Sequence, residues 1–318
     1  MKTLQTSIEN FLCHCQFEKN LSPKTIKAYR TDLKQLLEFI QNNEFPETIE
    51  QLDKVTLKAY LQCLSRYKPK TIKRKVAAIK AFLNEMEVEE VIMVNPFRKM
   101  RVQIKEPAIL PTVMNSSEVE KLITSVWEDR TLYKSESFRY SQTIRDIAVI
   151  EMLFATGIRV SELCNLGMND IDLTTYTIRI NGKGNKERLT QVCNDEAILA
   201  LTQYHHLFKD QINNVGIFFL NRINKRFSEQ SVRYLIKKYV SKTGLKKNIT
   251  PHTFRHSFAT LLLEEDVDIK YIQHLLGHSS IVTTQIYTHV NMLQKSKILN
   301  LKHPRKNFQV VTGKLNNG

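Results

Sequence analysis

Residues 250–290 read TPHTFRHSFATLLLEEDVDIKYIQHLLGHSSIVTTQIYTHV. The first of them signal a helix start. Thr250 can cap with its hydroxyl, and Pro251 suits the first helical position, where the N–H it lacks would have no partner. Phe254, Phe258 and Leu261 then recur at helical spacing and predict a buried stripe. His252 and Arg255 are three apart and share another face, which also carries His256 and Ala259. A second helix is expected over 268–276, with Ile272, Leu275 and Leu276 inward and Gly277 as a left-handed stop. His278 follows at that corner. Ser279 or Ser280 can cap a further short helix, with Tyr287 just past its end. The stretch thus offers two imidazoles, a guanidinium and a phenol on short, braced elements, without a carboxylate pair or a metal-ligand cluster. An Arg fork matches phosphate oxygens, and a Tyr oxygen can serve as a covalent nucleophile. The set therefore suits attack on a phosphodiester better than on a carbonyl. Each residue alone has an ordinary reading: a His beside a helix-ending Gly is more often structural, and a loop Tyr more often still.

Composition narrows the partner. The chain of 318 residues carries a formal net charge of +15 with a pI near 9.5, which favours a polyanion. The excess is spread, +6 over residues 1–106 and +9 over the rest, so both halves are expected to grip it. Cys13, Cys15, Cys63, Cys164 and Cys193 are odd in number and scattered, and no signal peptide precedes them; reduced thiols and a cytoplasmic location are expected. Cys13-His14-Cys15 is half of a metal site with no second half, so no metal and no other cofactor is expected. No apolar run approaches the length of a membrane span.

Along the chain, helical periodicity begins over 8–17. Ser22 and Pro23 open a longer helix with Ile26, Tyr29, Leu33, Leu36, Leu37 and Ile40 on one face. Further helices are expected near 56–64 and from Pro69, where Ile72, Val76, Ile79, Phe82 and Leu83 form the core side. Lys70, Lys73, Arg74 and Lys75 crowd the first turns of the last helix, against its dipole, and DNA phosphate is a candidate compensation. Asn95-Pro96 ends this bundle, and the proline-bearing residues 101–111 read as a linker. Asn115 and Glu118 form a capping box for a helix over 116–126. Residues 127–142 read as a polar loop, followed by a buried helix over 143–154. In ATGIRVSEL, Ser161 is the expected cap of a short helix with Arg159 at its mouth. Strands are expected over 171–173, 176–181 and 187–192, the last two joined by a tight turn holding Lys183. Helices over 195–205 and 228–241 complete the count, and Lys237 and Lys238 are further candidates for phosphate contact.

HTFRHSFAT, LLGHSS and TTQIYTHV, with ATGIRVSEL and NGKGNKERL upstream, together resemble the motif set of the tyrosine recombinases, or phage integrase family, and in particular the bacterial Xer recombinases. The resemblance extends from about residue 6 to 305. It implies a mainly α protein: a helical, DNA-binding N-terminal bundle over 1–100, a linker over 101–111, an α+β catalytic domain with a small antiparallel sheet over 112–305, and a tail over 306–318. It implies that Arg159, Lys183, His252, Arg255 and His278 surround the scissile phosphate and that Tyr287 attacks it. The partner implied is double-stranded DNA carrying a paired site, bound by a tetramer, with a second related recombinase possible in that tetramer. The activity implied is site-specific recombination through a 3′-phosphotyrosine and a Holliday junction, in chromosome-dimer resolution or, alternatively, mobile-element integration. A type IB topoisomerase and a non-catalytic DNA-binding protein are the remaining alternatives. The tail after Val290 has an apolar edge of Met292, Leu293, Ile298, Leu299 and Leu301. By resemblance it is expected to leave its own domain and dock on a neighbouring protomer.

Overall fold

A computed structural model describes residues 3–105, 112–182, 187–277 and 299–307. The chain divides at Ile109 and Leu110 into two compact units. The protein is mainly α, with one small antiparallel sheet.

The first unit is a bundle of α1 (Leu4–Phe17), α2 (Pro23–Asn42), α3 (Lys54–Cys63) and α4 (Pro69–Val88). The start of α2 is capped as the sequence predicts, and α3 starts two residues before its expected position on an Asp53 cap. The Ser22 hydroxyl accepts the Thr25 N–H at 3.2 Å with Pro23 next, and Asp53 accepts the Thr56 N–H at 2.8 Å. Leu33, Leu36, Ile40, Ile79, Phe82 and Leu83 are fully buried, and Phe11 meets Phe82 edge-on at 5.5 Å. His14 faces Glu18 and Glu85, at 3.0 and 2.9 Å.

The basic start of α4 finds its compensation inside the bundle. Asp32 of α2 has no exposed surface, and Lys75 (2% exposed) approaches it at 3.1 Å and also donates to Gln35. Arg74 donates to the other Asp32 oxygen. Lys75 is therefore corrected from a DNA contact to a core ion pair, because burying either charge alone would be costly. Lys70, Lys73 and Arg74 remain exposed.

The second unit is built round α6 (Phe138–Thr156), buried without a break from Thr143 to Thr156. Against it pack α5 (Ser116–Thr131), α8 (Asp195–Val215), α9 (Glu229–Thr243) and α10 (Pro251–Glu264). The expected loop over 127–142 is corrected. Helix α5 runs on to Thr131 and α6 already starts at Phe138, leaving 132–137 between them. The polar letters that suggested a loop are held by tertiary partners. Trp127 donates its indole N–H to Glu151 at 2.7 Å, and Asp129 takes the ammonium groups of Lys242 and Lys238. That pairing also commits Lys238, which lies 3.3 Å from Asp129, 3.8 Å from Asp146 and 4.4 Å from the centre of the Tyr239 ring. Unlike Lys75, Lys238 keeps an exposed side chain (47%) beside these partners, and Lys237 is exposed too.

The sheet holds β1 (Ile171–Asp172), β2 (Thr177–Asn181) and β3 (Glu187–Gln191) in sequence order, with Ile178 opposite Thr190 and Asn181 opposite Glu187. Ile178 and Ile180 face the core. The chain then enters α8, which outruns its expected end by a further ten residues to Val215 because Phe208 and Ile212 also reach the core. Tyr204 fixes the return, donating to the Phe218 carbonyl at 2.8 Å and accepting the Leu220 N–H at 2.9 Å.

The described end of the tail contradicts the expectation that it leaves its domain. Residues 299–302 are helical, and Leu299 joins Phe258, Leu262, Ile272, Leu275 and Leu276 in one apolar cluster. His303 sits against Phe154, with Nε2 3.2 Å from the Ala155 carbonyl, while its Nδ1 accepts the Arg305 N–H at 3.0 Å. Arg305 and Glu151 are each 1% exposed and lie 3.6 Å apart. Leu301 is exposed; Met292, Leu293 and Ile298 lie outside the described residues.

Burial, reinforced by the Arg305 charge, drives the His303 imidazole down to about 4, despite the Ala155 carbonyl acting the other way. An unfolded chain takes up this proton near pH 6.5, whereas the folded one resists it. Stability from this group is thus complete above about pH 6.5 and is lost as pH falls toward about 4. The loss is expected to approach about 3 kcal/mol, at about 1.4 kcal/mol per pKa unit. Urea unfolding of the wild type and of His303→Asn at pH 7 and pH 4.5 checks this. The wild type should lose more stability on acidification than the variant; equal losses would remove His303 from the account.

Candidate active site

Four segments of the second unit meet at one helix end. The first is the turn after α6. Gly157 adopts a left-handed conformation (φ 60°), and a Cβ there would stand 2.7 Å from Phe258 and 2.8 Å from Leu276. Only glycine lets α6 end this close to α10 and α11 (Ile269–Leu276). Two residues on, Arg159 occupies the cap position of α7 (Val160–Asn165). Ser161 was the expected cap, but the Glu162 carboxylate supplies it, accepting the Arg159 backbone N–H at 2.9 Å. The same carboxylate accepts from the Arg159 guanidinium at 2.7 Å.

The second segment is α10. The Thr250 hydroxyl accepts the Thr253 N–H at 3.3 Å, Pro251 follows, and Phe254, Phe258 and Leu261 are buried as the spacing predicts. Arg255 is drawn inward as well. Its Nη1 donates to the Gly157 carbonyl at 2.9 Å and its Nη2 to the Leu276 carbonyl at 2.7 Å. Burial, with Arg159 and Arg188 nearby, lowers its pKa to about 9, which leaves it charged at neutral pH. His252, one turn earlier, is exposed. Partial burial and the charges of His256 and Arg255 depress its pKa, so the neutral, proton-accepting imidazole prevails.

The third segment is the end of α11. Asp268 caps its start and Gly277 (φ 65°) ends it. The Gly277 carbonyl accepts from Arg159 Nη2 at 3.2 Å, and the preceding carbonyl holds Arg255. Arg159 and Arg255 are thus tied to successive carbonyls directly before His278.

The fourth segment, missed from sequence, is the start of β3. Arg188 donates to both Glu162 oxygens, at 2.9 and 2.7 Å. Burial alone would raise the Glu162 pKa, but Arg188 and then Arg159 overcome it and hold the carboxyl near 2. Glu162 was legible in principle: a Glu three residues after a helix-opening position is a capping spacing. Arg188 lies inside the NGKGNKERL motif, but only Lys183 was singled out there, since an Arg on a short edge strand otherwise looks like any solvated charge. Lys183, His278 and Tyr287 lie outside the described residues.

A model described as "Phage integrase family" matches residues 112–294, and one described as "Phage integrase, N-terminal SAM-like domain" matches residues 8–90. The chain belongs to the phage integrase family. A tyrosine recombinase of Agathobacter rectalis is 44% identical over 97% of this chain and 99% of its own length. The tyrosine recombinase XerC of Thermodesulfovibrio yellowstonii is 33% identical over 96% and 98%. Among solved structures, a XerH site-specific recombinase bound to palindromic difH substrate, in a post-cleavage complex, shares the fold with a TM-score of 0.68 at 22% identity, over 91% of this chain and 83% of that one. A lambda integrase tetramer bound to a Holliday junction does so with 0.66 at 17%, over 89% and 79%. The protein is an enzyme, a Xer-type tyrosine recombinase that acts in site-specific recombination. Among the described residues, no helix is long and apolar enough to cross a membrane.

Proposed function

We propose that the second unit cuts and rejoins duplex DNA at the Gly277 corner. The supporting observation is the convergence of Arg159 and Arg255 on consecutive carbonyls just before His278. Two guanidiniums with fixed backbones form a preorganised receptor for the non-bridging oxygens of one phosphate. The phenol oxygen of Tyr287 attacks phosphorus, its proton passing to the neutral His252. The bond to the 5′ oxygen breaks as Lys183 donates a proton to it, and a 3′-phosphotyrosine remains. His278 hydrogen-bonds the phosphate. A 5′ hydroxyl from a second duplex reverses the step, so strands exchange through a four-way junction without a cofactor, since the phosphotyrosine conserves the bond energy.

The domain assignment that accompanies this reading is a DNA-contacting bundle over 1–100, a linker over 101–111 and a catalytic unit over 112–305, with a tail beyond. Lys70, Lys73, Arg74, Lys237 and Lys238 are the exposed cations assigned to phosphate contact. Four protomers on a paired site, in the cytoplasm, complete the scheme. Relatives by name include XerC and XerD proteins, which leaves room for a second recombinase in the tetramer.

The test begins with a site selected by the protein from a random-sequence duplex pool. Two copies on one supercoiled plasmid should give deletion or inversion products. Relaxed plasmid without joined products would favour a topoisomerase. Binding without any strand breakage would leave only a DNA-binding protein.

A further inference from the structure

Glu162 and Arg188 lie directly behind the proposed phosphate receptor. The Glu162 carboxylate stands between two guanidiniums: Arg159 at 2.7 Å on one side, and Arg188 forked across both oxygens at 2.9 and 2.7 Å on the other. The Glu162–Arg188 pair is withdrawn from water, with side chains 5% and 10% exposed. Arg188 is also the floor beneath Gly277. A Cβ on Gly277 would lie 2.8 Å from Arg188 Cδ and 3.1 Å from its Nη1. Among the described residues its Nε has no hydrogen-bond partner, so the fork on Glu162 is its polar anchorage. One side chain therefore joins the strand that follows the Lys183 turn, the α7 cap that holds Arg159, and the glycine that precedes His278.

We propose that Arg188 is a positioning residue for strand cleavage, an inference that rests on the phosphotyrosine reading above. Its first task is electrostatic. Glu162 carries a full negative charge at working pH, held near 2 in pKa chiefly by Arg188. With Arg188 present, that charge is shared between two cations, and Arg159 keeps positive potential to direct at a phosphate. Without it, Glu162 has Arg159 as its sole cation and draws that guanidinium back onto the α7 cap. The second task is geometric. The Arg188 stem packs where any Gly277 side chain would go, which sets the spacing between the β3 strand and Gly277.

The experiment measures single-turnover formation of the covalent protein–DNA adduct, on a nicked duplex carrying the selected site, beside the dissociation constant for the intact duplex. Arg188→Gln is expected to slow adduct formation about 10²-fold, the order associated with a displacement of about 1 Å in a catalytic group, with the dissociation constant little changed. Arg188→Lys keeps the charge but loses the fork, and should fall between. The deciding arm is the cycle with Glu162→Gln. If Arg188 works by sharing the Glu162 charge, then in the Glu162→Gln background Arg188→Gln should cost less than about threefold, near the limit of additivity. A residue that only props the fold would cost the same in both backgrounds, and that result overturns the proposal. Unfolding midpoints of all variants identify any that lose activity by unfolding; if Arg188→Gln does so, Arg188→Lys with and without Glu162→Gln carries the cycle. Wild-type protein that forms no adduct at all would refute the phosphotyrosine reading itself. Normal adduct with wild type and with Arg188→Gln refutes the positioning role alone.

Discussion

Replacing Tyr287 by Phe is expected to abolish adduct formation on a nicked duplex while binding of the intact site stays within about twofold of wild type. The substitution removes one oxygen and leaves the ring. The other hydroxyls of the stretch, at Ser279, Ser280, Thr283, Thr284 and Thr288, are aliphatic alcohols at other positions of the sequence, and the variant leaves all of them in place. Covalent chemistry that depends on one atom falls to background when that atom goes, whereas an electrostatic helper leaves a residual rate. Adduct resistant to denaturant in the Phe variant would show that Tyr287 is not the nucleophile.

The second large effect concerns the end of the chain. Arg305→Ala is expected to destabilise the second unit by about 3–5 kcal/mol, the usual result of stranding one member of a buried ion pair. Glu151 is the stranded partner; it and Arg305 are each 1% exposed, and the carboxylate also accepts from the indole of Trp127 at 2.7 Å. The double variant Arg305→Met with Glu151→Gln should recover most of the loss, because no uncompensated charge then remains buried. Denaturant unfolding of the three proteins checks both statements. A chain truncated after residue 298 should behave like Arg305→Ala or worse, as it also gives up Leu299 and His303. An Arg305→Ala protein as stable as wild type would mean that the tail merely rests on the surface. The expectation that the tail after Val290 leaves its domain is thereby revised for residues 299–307, whose removal damages the unit they come from.

Much of the fold was legible because its signals are local. Ser22-Pro23, Asn115 with Glu118, Thr250-Pro251 and Gly277 act within a few residues of themselves, and each marks an element end in the structure. The strands at 177–181 and 187–191 follow from alternation and a tight turn. What was not legible depends on partners far along the chain. Residues 127–142 look like a loop until Glu151 is set beside Trp127 and Lys242 beside Asp129. Lys75 looks like a surface cation until Asp32, forty-three residues earlier, is placed under it. Arg159 and Arg255 stood out by their motifs, but the carbonyls that aim them belong to Gly157, Leu276 and Gly277, and backbone oxygens carry no letter in a sequence. Arg188 stayed hidden for a related reason, as its meaning lies wholly in Glu162 and in the empty side of Gly277.

The charge state of the Gly277 corner has a thermodynamic consequence. Glu162 loses its proton near 2, Arg255 holds its own up to about 9, and the depressed His252 is already neutral at physiological pH. Near pH 7.5, and without DNA, Glu162 and Arg255 therefore neither gain nor release protons, and His252 takes one up only on acidification. A phosphate arriving there meets a surface whose charge is fixed by covalent structure rather than by the solution. The heat of DNA binding, measured near pH 7.5 in buffers that differ widely in ionisation enthalpy, should then receive no contribution from Glu162 or Arg255. Any buffer dependence that is observed points to protons taken up by His252 beside the phosphate or by groups elsewhere in the complex.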